Sequence, residues 1–90
     1  MMKYKICKDI EVTKVDGEEF VICFDVESGE SHVLDVAATA VLNTVGNGMT
    51  IEEATEKIAA EFEAEPGEIA EDVAAFTQTL IEKKIIEKAV

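Results

Sequence analysis

Ninety residues with a net charge of −12 make a single small domain, because so short a chain cannot divide its apolar side chains between two stable cores. Its eight cations, all Lys, stand against 20 Asp and Glu, a balance that repels nucleic-acid phosphates and anionic membrane surfaces. Hydrophobic residues make up 48% with one Pro and five Gly, which excludes a low-complexity disordered chain, and no window holds the ~20 apolar residues of a membrane span.

The first stretch, "MMKYKICKDIEV", has no continuous apolar run of the signal-peptide kind, so a cytoplasmic location is expected. Strands are expected over about 5–14, 19–26 and 31–34, as a three-stranded antiparallel meander. A loop at Val15-Asp16-Gly17 would set Lys14 opposite Glu18, Val12 opposite Phe20 and Ile10 opposite Ile22. That register gathers Ile6, Ile10, Val12, Phe20, Ile22, Phe24 and Val26 on one face, as a core face requires. It leaves Cys7 and Cys23 on the polar face as diagonal neighbours roughly 7–8 Å apart, too far for a disulfide. A second turn at Ser28-Gly29 sets Val33 beside Phe24 on the core face and His32 opposite Asp25 on the outer one.

After Asp35 the apolar period changes from two to about 3.6. Helices are expected over about 36–45, 51–64 and 67–83. Asp35 caps the first, which "GNG" at Gly46–Gly48 ends. Thr50-Ile51-Glu52-Glu53 opens the second as a capping box, with Ile51, Ala54, Ile58, Ala59 and Phe62 as its apolar stripe. Pro66 suits the first turn of the third, whose stripe is Ile69, Val73, Phe76 and Leu80. Ile85-Ile86 either extends that helix or forms a small wing strand.

His32 is the only side chain with a near-neutral intrinsic pKa available as a general base. It has no companions for catalysis: no G-x-S-x-G elbow, no His or Cys cluster at metal-ligand spacing, and no phosphate loop in "GNGMT". No catalytic residue, metal or cofactor is therefore assigned. The acidic run from Glu52 to Asp72 reads either as a solvated face or as a docking surface for a basic partner. Three helices beside a small sheet suggest an α+β fold of winged helix-turn-helix type. The exposed side of the third helix carries Glu68, Glu71, Asp72 and Glu82, charges opposite to those of a DNA-reading helix.

The ordered series "SGESHVLD", "AATAVLN", Gly48 with Thr50–Glu53, and an acidic helix ending in "LIEKKII" covers roughly Glu18–Glu87. It resembles the PqqD family, the small peptide chaperones or recognition elements of ribosomally made, post-translationally modified peptides. Leu34-Asp35 matches the hydrophobic and Asn or Asp pair before the family's first helix, and Val41-Leu42-Asn43 matches its apolar Leu-Asn run.

The resemblance implies a non-enzymatic protein spanning residues 1–90. It would bind the leader segment of a precursor peptide and present it to a modifying enzyme, often a radical SAM enzyme. The leader would add as an antiparallel strand beside the third strand, in a groove against the third helix. That model selects His32, Val33, Leu34 and Asp35 on the strand side and Asp72, Phe76, Thr79 and Lys83 on the helix side. An open edge strand also allows pairing with a second copy. Two rival readings stand beside it: a winged-helix interaction or regulatory domain without a leader, and an acidic carrier protein. The carrier lacks its serine at a helix start.

Overall fold

The computed structural model describes residues 2–89. Five strands and three helices follow one another as β1 (Tyr4–Ile6), β2 (Ile10–Lys14), β3 (Val21–Asp25), β4 (Ser31–Leu34), α1 (Val36–Thr44), α2 (Ile51–Glu61), α3 (Pro66–Glu82) and β5 (Ile86–Lys88). A 3-10 turn, Val45–Asn47, extends α1. Strands β2, β3 and β4 form an antiparallel sheet in that order, and β1 pairs with β5 in a separate two-stranded ribbon. The arrangement is α+β and winged helix-like.

The hairpin register differs from the expected one, and the loop is the reason. Glu18 donates its N–H to the Val15 carbonyl at 3.0 Å, closing a turn with Gly17 at φ +80°. The ladder resumes only after Phe20, so Lys14 faces Val21 and Ile10 faces Asp25. This is a three-residue slip, and an odd slip turns every β3 side chain to the other side of the sheet. Val21 and Cys23 are buried, while Phe24 and Val26 are 37% and 49% exposed. Phe20 sits outside the ladder and lines a cleft with Val36 and Ala40 of α1.

The second hairpin differs by two residues. Asp25 donates to the Glu30 carbonyl at 2.8 Å, so the loop is Val26–Gly29, and Ile22 faces Val33 while Cys23 faces His32. Val33 and Phe24 do share a face, but it is the solvent face, where Val33 is 68% exposed. His32 points to the helix side, opposite Cys23 rather than Asp25. Cys7 and Cys23 are free thiols; burial pushes both upward, and Glu87 adds to the effect at Cys7.

The stretch expected as one first strand breaks at Cys7–Asp9 into β1 and β2, where Ile10 donates back to the Cys7 carbonyl at 3.1 Å. Ile85-Ile86 leaves the helix through Lys84 at φ +60° and supplies β5.

The helices start where their caps dictate. Asp35 accepts the Ala38 N–H at 2.8 Å. Thr50 and Glu53 exchange bonds at 3.0 and 3.1 Å as a capping box. The core joins Tyr4, Ile10, Val21, Cys23 and Leu34 to Leu42, Val45, Ile58, Val73, Leu80, Ile85 and Ile86. Gly46 sits in a tight place: a Cβ there would lie 3.2 Å from Ile6 and 3.3 Å from Leu42, so these side chains would have to shift by a few tenths of an ångström.

Candidate functional site

Among the described residues, the sheet order leaves β4 with one unpaired edge. Hydrogen-bonded and non-hydrogen-bonded pairs alternate in an antiparallel ladder. Because Asp25 and Glu30 form a bonded pair, His32 and Leu34 turn their backbone groups toward β3. Ser31 and Val33 turn theirs outward. The bond from Val26 to the Asp9 carbonyl at 3.0 Å fixes the complementary alternation toward β2. The free edge therefore offers the N–H and C=O of Ser31 and Val33.

Side chains alternate the other way. His32, half-buried, and Leu34, 5% exposed, lie on the helix side of the sheet. Leu34 belongs to the core, and its carbonyl accepts the Thr39 hydroxyl at 3.2 Å. Asp35 spends its carboxylate on the α1 cap.

The residues expected on the helix side spread along α3. Asp72 and half-buried Phe76 line a small apolar cavity of about 110 Å³ with Ala37, Val41, Ile58 and Ile69. Thr79 is exposed and donates its hydroxyl to the Ala75 carbonyl at 3.1 Å. Lys83 caps the C-terminal end of α3 and lines an open cavity of about 830 Å³ that also takes in His32 and Glu30 of the β4 side. His32 and Lys83 thus share one cavity, and Asp72 and Phe76 share another.

The larger cavity is charged. It contains Lys5, Lys8, Lys83 and Lys84, half of all the cations. Among its acids, Asp25 is held below the usual carboxylate range by the Ser28 and Glu27 N–H groups, at 3.2 and 2.9 Å. Glu27 is pushed upward by a hydrogen bond with Asp9, by the charge of Asp9 and by Asp25. Among the described residues no group of three or more His, Cys, Asp or Glu side chains could hold a metal ion.

Several lining residues were not legible as such. Phe62, expected in the core stripe of its helix, is 47% exposed and lines two clefts. Val36, the first residue of α1, is 43% exposed. Both lie at helix ends, where a stripe can run past the partner that would cover it.

Two solved structures share the fold. "TbiB1 in Complex with the TbiA(beta) Leader Peptide" aligns with a TM-score of 0.80 at 22% identity, over 92% of this chain and 94% of that one. "Lasso peptide synthetase B1 complexed with the leader peptide" aligns at 0.80 and 21% identity, over 94% and 98%. No curated protein matches the sequence. The family model described as coenzyme PQQ synthesis protein D (PqqD) matches residues 21–86, which run from the first residue of β3 through α3 to the start of β5. With most of its length inside that match, the chain belongs to the PqqD family.

Proposed function

We propose that the protein recognises the leader segment of a ribosomally made precursor peptide and has no catalytic role of its own. The observation that carries this reading is the free edge of β4, with the backbone groups of Ser31 and Val33 unpaired among the described residues and Lys83, at the C-terminal end of α3, in one cavity with His32. An edge strand binds an extended peptide through main-chain bonds with little demand on sequence, and the side chains beside it select. Membership of the PqqD family supports the reading, as do the two structural neighbours, each of which is in complex with a leader peptide.

In the bound state, the leader lies antiparallel to β4. Val33 contributes backbone, His32 and Leu34 form the strand-side wall, and Asp35 fixes where the strand stops. Asp72, Phe76, Thr79 and Lys83 form the opposite wall along α3. The protein then presents the peptide to a modifying enzyme, such as a radical SAM maturase, in the cytoplasm. No described helix is long and apolar enough to cross a membrane.

The test is a titration of the isotope-labelled chain with the precursor peptide encoded beside its gene. Amide signals of Ser31 and Val33 should shift most on the strand, with a second group of shifts along α3 from Ile69 to Lys83. Shifts confined to the β2 edge or to the β1–β5 ribbon would sink the strand-addition reading.

A further inference from the structure

A sheet covered by helices on one side alone is expected to be apolar on that side and polar on the other. The β2–β3–β4 sheet departs from this. Opposite residues of an antiparallel ladder share a face, so the register sets Ile22 and Phe24 of the central strand on the side away from the helices, with Val33 and Ser31 of β4 and Thr13 and Glu11 of β2 beside them. Phe24 is 37% exposed, Val33 is 68% exposed, and Ile22 beside both is half-buried. Val26, 49% exposed, continues the row past Asp25. The covered side of the same strand holds the smaller Val21 and Cys23. The central strand thus carries its bulkier apolar side chains on its open face.

A contiguous exposed apolar row of this kind marks an interaction surface. Its size and charge select the occupant. Three strands ~4.8 Å apart, with five residues at ~3.4 Å each, present a face of roughly 240 Å², well below the ~800 Å² per partner of a stable interface. Two copies stacked face to face would bury little more than this. They would also enclose Glu11 without a cation, because Lys14, the one Lys of these strands, faces Val21 on the helix side. Each copy brings a net charge of −12 to the encounter, so self-association is opposed by repulsion as well.

The face is continuous with the edge proposed to take the peptide. A strand added to β4 would lie about 4.8 Å from β4 and about 10 Å from β3, and every second side chain of it would join this face. A partner seated here touches the peptide without displacing it. We infer that the open face of the sheet, centred on Ile22, Phe24 and Val33, docks the modifying enzyme through a patch that is apolar at its centre and carries Lys or Arg at its rim to meet Glu11. Contact with the neighbouring peptide strand supplies area that the face alone lacks. The identity of this partner rests on the reading that the protein presents a peptide to an enzyme; the exposed apolar row does not.

The test measures binding of the purified modifying enzyme encoded beside the gene to the full chain, with and without the leader. Phe24→Ser should weaken enzyme binding about tenfold or more. Glu11→Lys should weaken it about threefold or more, and Glu11→Gln less, as a basic rim on the partner requires. Glu11 is exposed and outside the core, so its variants decide the matter should Phe24→Ser fail to fold. Val12→Ser is the matched control, since Val12 is also 37% exposed but lies opposite Cys23 on the helix side; it should change enzyme binding under about twofold. All of these variants should keep the leader-induced shifts at Ser31 and Val33. Enzyme binding that is unchanged by Phe24→Ser or by Glu11→Lys, or absent altogether, would overturn the docking face and leave leader recognition standing. A wild-type dimer in sedimentation that Phe24→Ser dissolves would overturn it in favour of a second copy. A leader that leaves Ser31 and Val33 unshifted, with enzyme binding still sensitive to Phe24→Ser, would keep the face and overturn strand addition instead.

Discussion

Thr50 is 1% exposed, and its hydroxyl accepts the Glu53 N–H at 3.1 Å while the Glu53 carboxylate accepts the Thr50 N–H at 3.0 Å. Two backbone donors that α2 would otherwise leave unpaired at its start are satisfied this way. The other buried polar side chains, Thr39, Thr44, Thr55 and Thr77, each donate to a backbone carbonyl between 2.7 and 3.2 Å. Among the described residues, no buried side-chain N or O is left without a partner. Thr50→Ala should therefore lower stability by about 1–2 kcal/mol. Urea denaturation at neutral pH would read this, and an unchanged midpoint would remove the cap from the account. Residues of this kind were legible from sequence: Thr50 with Glu53, and Asp35, announce their roles by spacing alone. Cys23 was not, because whether it is buried depends on where the loop between β2 and β3 ends.

That dependence belongs to the scale of elements. Helix starts are local, so a cap and a period locate them. Strand faces are not, since the side-chain period of two turns a single miscounted loop residue into an inverted sheet. The core face expected from alternation collects Phe20, Ile22, Phe24 and Val26, and this looks better than the real one, which has Val21, Cys23 and His32. The true pattern became readable only once helices were available to cover one side. The β4 edge itself was legible, because order along the chain makes the last strand of a meander an edge. The clefts around Phe62 were not, since they require the relative placement of α1, α2 and α3. Alternation along β4 leads to a direct expectation for the free protein: amides of His32 and Leu34 should exchange slowly with solvent, and those of Ser31 and Val33 fast. A native-state hydrogen-exchange experiment showing uniform protection along β4 would mean that the edge is already covered, for instance by a second copy of the chain.

At the scale of the whole molecule, a net charge of −12 penalises the compact state through self-repulsion. The structure adds carboxylates whose pKa shifts run in opposite directions. Asp25 and Glu53 are held below the usual carboxylate range by backbone N–H groups, those of Ser28 and Glu27 for the first and of Thr50 for the second. Their native forms bind a proton less tightly than the unfolded chain does, so their contribution is present above about pH 4 and is lost as pH falls further. Glu27 is pushed up by Asp9. Its native form binds a proton more tightly, so its charged form is a burden at neutral pH that lifts as pH falls. Thermal stability should thus rise on acidification from pH 7 toward pH 5 and then fall below pH 4. Asp9→Asn should be more stable than the wild type at pH 7, and the difference should close as Glu27 takes up its proton. A variant no more stable than the parent at neutral pH would show that the Asp9–Glu27 contact carries no repulsion.

The ribbon of β1 and β5 has its own consequence. Tyr4 faces Lys88, and Ala89 donates to the Lys3 carbonyl at 2.9 Å, so the two outermost strands run side by side and leave the fold at one point. A domain that is entered and left through the same doorway can be spliced into a surface loop of another protein without stretching either host or guest. The ribbon lies in a different sheet from the β4 edge, so such a splice would use none of the strand proposed to hold a peptide. The same closeness makes the chain a candidate for circular permutation: a linker of a few residues from Ala89 to Lys3 would seal the doorway, and new ends could be opened in the Val15–Phe20 loop.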